Sequence, residues 1–143
     1  MRYAEILLNF AEAVNEFRGP TYEIEGKNAY WAINEIRNRA GLPSLPDGLS
    51  KEEMQEKIRH ERRVELCFEQ LRYFDTRRWL IAEEVDGGDF YGMNVNAGTS
   101  LQDPAFYQRT VFETRVFRRS FYLFPIPQAE INKNKNLVQN PNW

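Results

Sequence analysis

The chain has 143 residues, 19 Lys and Arg against 21 Asp and Glu, and a formal net charge of −2, so no global basic field draws it to nucleic acid or to an anionic membrane surface. Its 42% hydrophobic and 28% charged content fits a folded domain and excludes wholesale disorder. No run approaches the roughly 18 apolar residues of a spanning helix, and the single cysteine, Cys67, excludes an internal disulfide. Aromatics are plentiful, with 3 Trp, 7 Tyr and 10 Phe, which gives the chain flat side chains for a heavy core or for stacking on ligands.

The chain opens at Met1-Arg2 directly into an amphipathic pattern with no cleavage site, so an export signal, for an exported protein, is expected upstream. Residues 2–17 are predicted helical, with Tyr3, Ile6, Leu7, Phe10, Val14 and Phe17 as the inward stripe, and Arg18-Gly19-Pro20 as the stop. A second helix is predicted over 27–40, with Ala29, Ile33, Ile36 and Ala40 inward. Trp31 falls on its polar face, where it would pack against something outside the chain, and Gly41 and Pro43 end the helix. Two such helices joined by a short link form a hairpin, the unit of helical arrays.

Ser50 followed by Glu53 is a capping box that opens a third helix, 51–69. A fourth segment, 71–84, either continues it or stands alone, with Tyr73, Phe74 and Trp79 assigned to the core. Residues 85–109 are rich in Gly and Asn and are expected to form a loop, and 110–117 alternate loosely enough for a short strand or β-hairpin. The tail, 118–143, contains Tyr122-Leu-Phe-Pro-Ile-Pro127, whose prolines hold it extended. Tyr122, Leu123, Phe124 and Ile126 are expected to dock on the helices, one helical turn follows near Gln128, and Leu137 and Trp143 are expected to pin the end by burial.

The third helix carries the main anomaly. Met54, Ile58, Val64 and Phe68 share a face into which Glu61 and Glu65 also fall. Paired carboxylates suit a glycosidase, or a dinuclear metal site of Glu-x-x-His type, but the lone His60 follows Glu56 by four residues and misses that spacing. The favoured reading is a structural ion-pair network of Glu61, Glu65 and Asp75 with Arg62, Arg72 and Arg78, or Arg37. Acidic residues interleave with these arginines, so the segment is not a basic helix for nucleic acid. Cys67, between Leu66 and Phe68, is expected to be a buried, inert thiol, and no catalytic residue, metal site or cofactor motif is assigned. For ligand contact, Tyr91, Tyr107, Asn94 and Asn96 combine flat rings with amides, while Phe90 and Phe106 are read as loop anchors.

The blocks RYAEILLNFAEAVNE, INEIRNRAGLP, IRHERRVELCFEQLRYFDTRRW, YLFPIPQAEI and LVQNPNW, in this order, closely resemble the C-terminal portion of SusD/RagB-type proteins. The resemblance implies a mainly α fold of tetratricopeptide-like helical hairpins with long loops, and a single C-terminal region spanning 1–143. It also implies a lipid-anchored, cell-surface protein of the outer membrane that binds an oligosaccharide or peptide nutrient. Such a protein is not an enzyme, needs no cofactor, and partners a SusC-like TonB-dependent transporter. Gln70 stands where the family has Gly, which leaves the break between the third and fourth helices open. The alternative from the residues alone is a helical-repeat scaffold that binds a protein or peptide partner.

Overall fold

The computed structural model describes residues 2–95, 100, 102–103 and 107–143. It is mainly helical with one two-stranded sheet, and it divides into two compact units, 1–72 and 73–143. No helix among the described residues is long and apolar enough to cross a membrane.

The first unit holds α1 (Tyr3–Arg18), α2 (Ala29–Arg39) and α3 (Lys51–Glu65), with α1 packed on both others. Leu8, Ile33, Met54 and Ile58 are almost wholly buried, each contributing about 1.5–3 kcal/mol by removal from water. The inward face of α1 is rotated from the expected stripe. Ala4, Leu7, Leu8, Ala11, Val14 and Asn15 are buried, while Tyr3, Ile6 and Phe17 are at least half exposed. Leu7, Leu8 and Val14 share that buried face with the small Ala4 and Ala11. Asn15 earns its buried place by donating from Nδ2 to the Lys51 carbonyl at 2.9 Å, which ties the end of α1 to the start of α3.

The α1–α2 link turns through Glu25 and Gly26, both at positive φ, between Ile24 and Lys27, which exchange two backbone hydrogen bonds of 2.8 and 3.0 Å. Two consecutive positive-φ residues are the geometry of a tight mirror-image hairpin turn, which glycine at the second position accommodates. Asn28 then caps α2 by accepting from the Trp31 amide at 2.9 Å. Trp31 is half-buried, at the margin of the core, with its edge against Phe10 at 6.3 Å and Lys27 Nζ over its ring at 4.6 Å. Ala40 is exposed as the C-cap of α2.

Both halves of the capping box on α3 form: the Glu53 amide donates to Ser50 Oγ at 3.1 Å and the Ser50 amide donates to Glu53 Oε2 at 2.8 Å. The helix ends at Glu65, four residues earlier than expected, because Phe68 and Gln70 both adopt positive φ. Past that point the phase of the helix no longer holds, so Phe68 is 99% exposed and Cys67 is an exposed thiol rather than a buried one. Val64, within the helix, is also exposed; Leu66 takes the core position instead.

The second unit holds α4 (Arg72–Arg78, whose first residue lies at the boundary), α5 (Ala82–Val85), β1 (Gly88–Asn94), β2 (Gln108–Arg115), a 3₁₀ turn (Arg119–Tyr122) and α6 (Gln128–Lys133). The expected continuous 71–84 helix is broken at Leu80, which has positive φ. Residues 88–94, expected as loop, form the first strand of an antiparallel hairpin with β2, with a bulge at Phe112 where Phe90 pairs with Glu113 and Tyr91 with Val111. A Cβ at Gly92 would meet Phe112 Cβ at 3.4 Å, so the glycine that disguised this strand as loop makes room beside the bulge.

The tail is held by polar contacts more than by burial. Gln139 clasps Ile126, donating from Nε2 to its carbonyl at 2.9 Å and accepting from its amide at 2.8 Å. Trp143 is 50% exposed and donates from Nε1 to the carbonyls of Ser120 and Leu123, both at 2.9 Å. Leu137 is also exposed, at 36%.

Candidate functional site

In the first unit the carboxylates of α3 are met by arginines. Glu61, 6% exposed, accepts from Arg37 Nη1 at 2.9 Å, and Arg37 also donates from Nε to the Pro43 carbonyl at 2.8 Å. Glu65 accepts from Arg39 Nη2 at 2.7 Å and from Arg2 Nη1 at 2.9 Å; Arg2 also donates to Glu69. Burial pushes the Glu65 carboxyl up, but the hydrogen bonds from Arg39 and Arg2 outweigh it and hold the group below the ordinary glutamate value. The hydrogen bonds to Glu69 and Glu65 raise the Arg2 guanidinium above its ordinary value.

A general acid needs a raised carboxyl pKa, and Glu65 moves the other way. Glu61 and Glu65 are engaged by Arg37, Arg39 and Arg2. Arg62 is buried and donates to Asn9 Oδ1 at 2.7 Å, and Arg72 is half-buried at the start of α4. Asp75, 4% exposed, belongs to the second unit, where it accepts from Arg78 Nε at 2.9 Å. The named arginines and carboxylates are therefore distributed over two groups of contacts.

The residues singled out for ligand contact lie on or beside the β-hairpin. Tyr91 is 50% exposed and carries the Arg109 guanidinium over its ring at 3.6 Å. Strand alternation puts Tyr91, Met93, Arg109 and Val111 on one face and Gly92, Asn94 and Thr110 on the other. Tyr107, 53% exposed, immediately precedes β2, and Asn94 pairs with Gln108 at the strand end. The hairpin thus brings Tyr107 near Asn94 along the chain ladder while Asn94 faces away from Tyr91. Asn96 and Phe106 lie outside the described residues. Phe90 is half-buried beneath Arg115, whose guanidinium sits 4.1 Å from the ring centre.

The second unit also contains an open cleft of about 870 Å³ between α4, the 3₁₀ turn and the tail, within the ~300–1,000 Å³ typical of small-ligand sites. One wall is aromatic: Tyr73 and Phe124 lie 6.4 Å apart with their planes 27° from parallel, and Arg77 covers Tyr73 at 3.4 Å. Tyr73 and Phe74, expected in the core, are 40% and 62% exposed on this cleft. The sequence signal that marks it is the pairing of the aromatic–arginine run at 73–79 with the proline-held Tyr122-Leu-Phe-Pro segment.

Helical hairpins of tetratricopeptide-like type, a small antiparallel hairpin and a proline-held tail define a mainly α protein. The SusD family profile matches residues 1–143, and the chain belongs to that family. It is 31% identical to SusD-like protein P2 of Formosa agariphila over 98% of this chain and 24% of the relative. A SusD-like protein of Bacteroides fragilis NCTC 9343 superposes with a TM-score of 0.79 at 38% identity, over 100% of this chain and 25% of that one. A SusD-like carbohydrate binding protein of the same strain superposes with a TM-score of 0.72 at 35% identity, over 96% of this chain and 28% of that one. The chain thus spans about a quarter of the length of these relatives.

Proposed function

We propose that the chain is the C-terminal region of a cell-surface, outer-membrane lipoprotein that captures a glycan, or a peptide nutrient, and delivers it unchanged to a SusC-like TonB-dependent transporter. The observation that carries the reading is the SusD family match over residues 1–143, joined to 35% identity with a SusD-like carbohydrate binding protein across 96% of the chain. The chemistry of the exposed surface supports it. Sugars present apolar C–H faces and many hydroxyls, and the second unit offers half-exposed rings, amides and guanidinium groups in proximity. Glu61 and Glu65 of α3 are each engaged by an arginine, and Glu65 is held below the ordinary glutamate value, which supports a binding rather than a hydrolytic role.

In this reading Tyr91 and Tyr107 contribute ligand contacts, with Asn94 and Asn96 as secondary ones, and the greater part of the ligand surface lies outside 1–143. A glycan array probed with the full-length protein tests it, with mass spectrometry of the bound sugars. Saturable binding with intact sugar recovered is expected; shortened products, or no binding to any glycan or peptide nutrient, would overturn it.

A further inference from the structure

The cleft of the second unit has a charge pattern that the aromatic wall alone does not explain. Arg77, Arg78 and Arg119 line it with Glu83 as the acidic counterweight. Arg77 is committed elsewhere: it stacks on Tyr73, donates to the Tyr73 carbonyl at 2.9 Å and lies 3.6 Å from Asp86. Arg78 is committed to Asp75 at 2.9 Å. Arg119 is exposed at the start of the 3₁₀ turn and makes no ion pair among the described residues. Among the three arginines of the cleft, its guanidinium is the one left without an ion pair among the described residues.

In the same cleft Phe124 is 73% exposed, on the extended segment whose Ile126 is clasped by Gln139. Arg77 fixes the orientation of Tyr73, which lowers the ordering cost of using that ring in recognition. Half-exposed aromatic rings and an unpaired, planar, five-donor cation lining one cleft fit a ligand that is apolar on one face and anionic at its edge.

We propose that this cleft is a binding site for an acidic oligosaccharide. Tyr73 and Phe124 take the C–H face of one sugar ring, and Arg119 pairs with the carboxylate or sulfate on that ring or its neighbour. The proposal rests on the glycan-capture reading above and adds to it a place and a ligand charge.

Calorimetric titration of the full-length protein tests it with three probes: tetragalacturonate for carboxylate, a carrageenan tetrasaccharide for sulfate, and cellotetraose as the neutral arm. At least one charged probe binds tenfold or more tighter than cellotetraose, and its affinity falls as salt is raised. Arg119→Gln, at an exposed position without a partner to lose, lowers that affinity about tenfold with an unchanged melting temperature and leaves the neutral probe unaffected. Phe124→Ala weakens charged and neutral probes together. Equal affinity for cellotetraose, or a charged-probe affinity that survives both substitutions, overturns the site while leaving glycan capture intact. Failure to bind these three probes or any member of the wider array overturns the site and the capture reading together.

Discussion

Arg37 of α2 holds Glu61 of α3 by a 2.9 Å hydrogen bond while its Nε binds the carbonyl of Pro43, so one guanidinium joins two helices to the loop between them. The carboxylate is 6% exposed, and a buried charge persists only where it is paired and hydrogen-bonded. Removing the acid by Glu61→Ala should therefore cost about 3 kcal/mol, the low end for breaking a buried pair, since Arg37 keeps its Pro43 partner. Glu61→Gln, which retains an acceptor oxygen, should cost less than half of that. Denaturant unfolding of the three proteins gives the comparison, and a loss below about 0.5 kcal/mol for the alanine variant would mean the pair is a surface ornament.

Glu65 gives the first unit a dependence on pH. Its folded-state value lies below the ordinary 4.5 because the bonds from Arg39 and Arg2 outweigh burial. A carboxyl depressed on folding contributes stability that is fully present above the unfolded value and is lost as pH falls through the folded one. Glu65→Gln should accordingly be less stable than the parent at pH 7, and the gap should close from about pH 5 downward. Thermal unfolding at intervals between pH 7 and pH 3 checks this; a gap that widens with acidification would reverse the assignment.

The end of α3 shows what the sequence discloses and what it hides. The capping box, the glycine stop of α2 and the existence of three helices in the first unit are local signals, readable because each depends on residues within a turn of one another. Three other features depend on contacts remote in sequence. The phase of α1 buries Ala4 and Ala11 in place of Tyr3, Ile6 and Phe17, which no hydrophobic ranking anticipates. Strand β1 needed its partner fourteen or more residues away, and its two glycines outweighed its alternation. The cleft took Tyr73 and Phe74 out of the expected core because α4 is short and the tail lies beside it. In the same way, the early stop at Glu65 comes from backbone geometry at Phe68 and Gln70 that side-chain periodicity does not report.

That geometry yields a prediction of its own. Gln70 has φ of 64°, a conformation that costs L side chains roughly 1–2 kcal/mol in general and glycine almost nothing. Gln70→Gly should stabilise the chain by about 0.5 kcal/mol after the greater freedom of glycine in the unfolded state is deducted. Gln70→Val, with a branched Cβ, should destabilise it by more than 1 kcal/mol. If glycine proves the less stable, then Gln70 contributes through its side chain rather than tolerating its backbone.

The tail of the second unit depends on the amide clasp at Gln139. Its two hydrogen bonds to Ile126 are part-buried, and each is worth about 1 kcal/mol net, so Gln139→Ala should cost roughly 1–2 kcal/mol. Gln139→Glu keeps the acceptor for the Ile126 amide and replaces the donor with a charge that faces the Ile126 carbonyl, and should cost at least as much. Hydrogen exchange at the Ile126 amide is the direct reading: it should quicken in both variants. Protection that persists in the alanine variant would assign the tail's order to its prolines alone.

Tyr91 offers the test of ligand contact on the hairpin. Arg109 covers one face of the ring at 3.6 Å, and the side chain is still 50% exposed, so a sugar has an open face on which to stack. An isolated two-stranded hairpin is marginal in water, and this one has Val111 and Phe112 at 52% and 77% exposure, so little of its stability derives from a core of its own. Substituting Tyr91 therefore changes surface chemistry more than packing. Tyr91→Ala should weaken glycan binding three- to tenfold, about 0.7–1.4 kcal/mol, while shifting global stability by less than about 0.5 kcal/mol. Tyr91→Phe should retain most of the affinity if the ring face is what the sugar meets, and should lose as much as alanine if the hydroxyl is. Arg109→Ala exposes the second face of the ring and frees its motion, so it should change affinity less than Tyr91→Ala does. Unaltered binding in Tyr91→Ala, measured on a glycan that the Arg119 variant fails to hold, would place recognition in the cleft and take the hairpin out of the site.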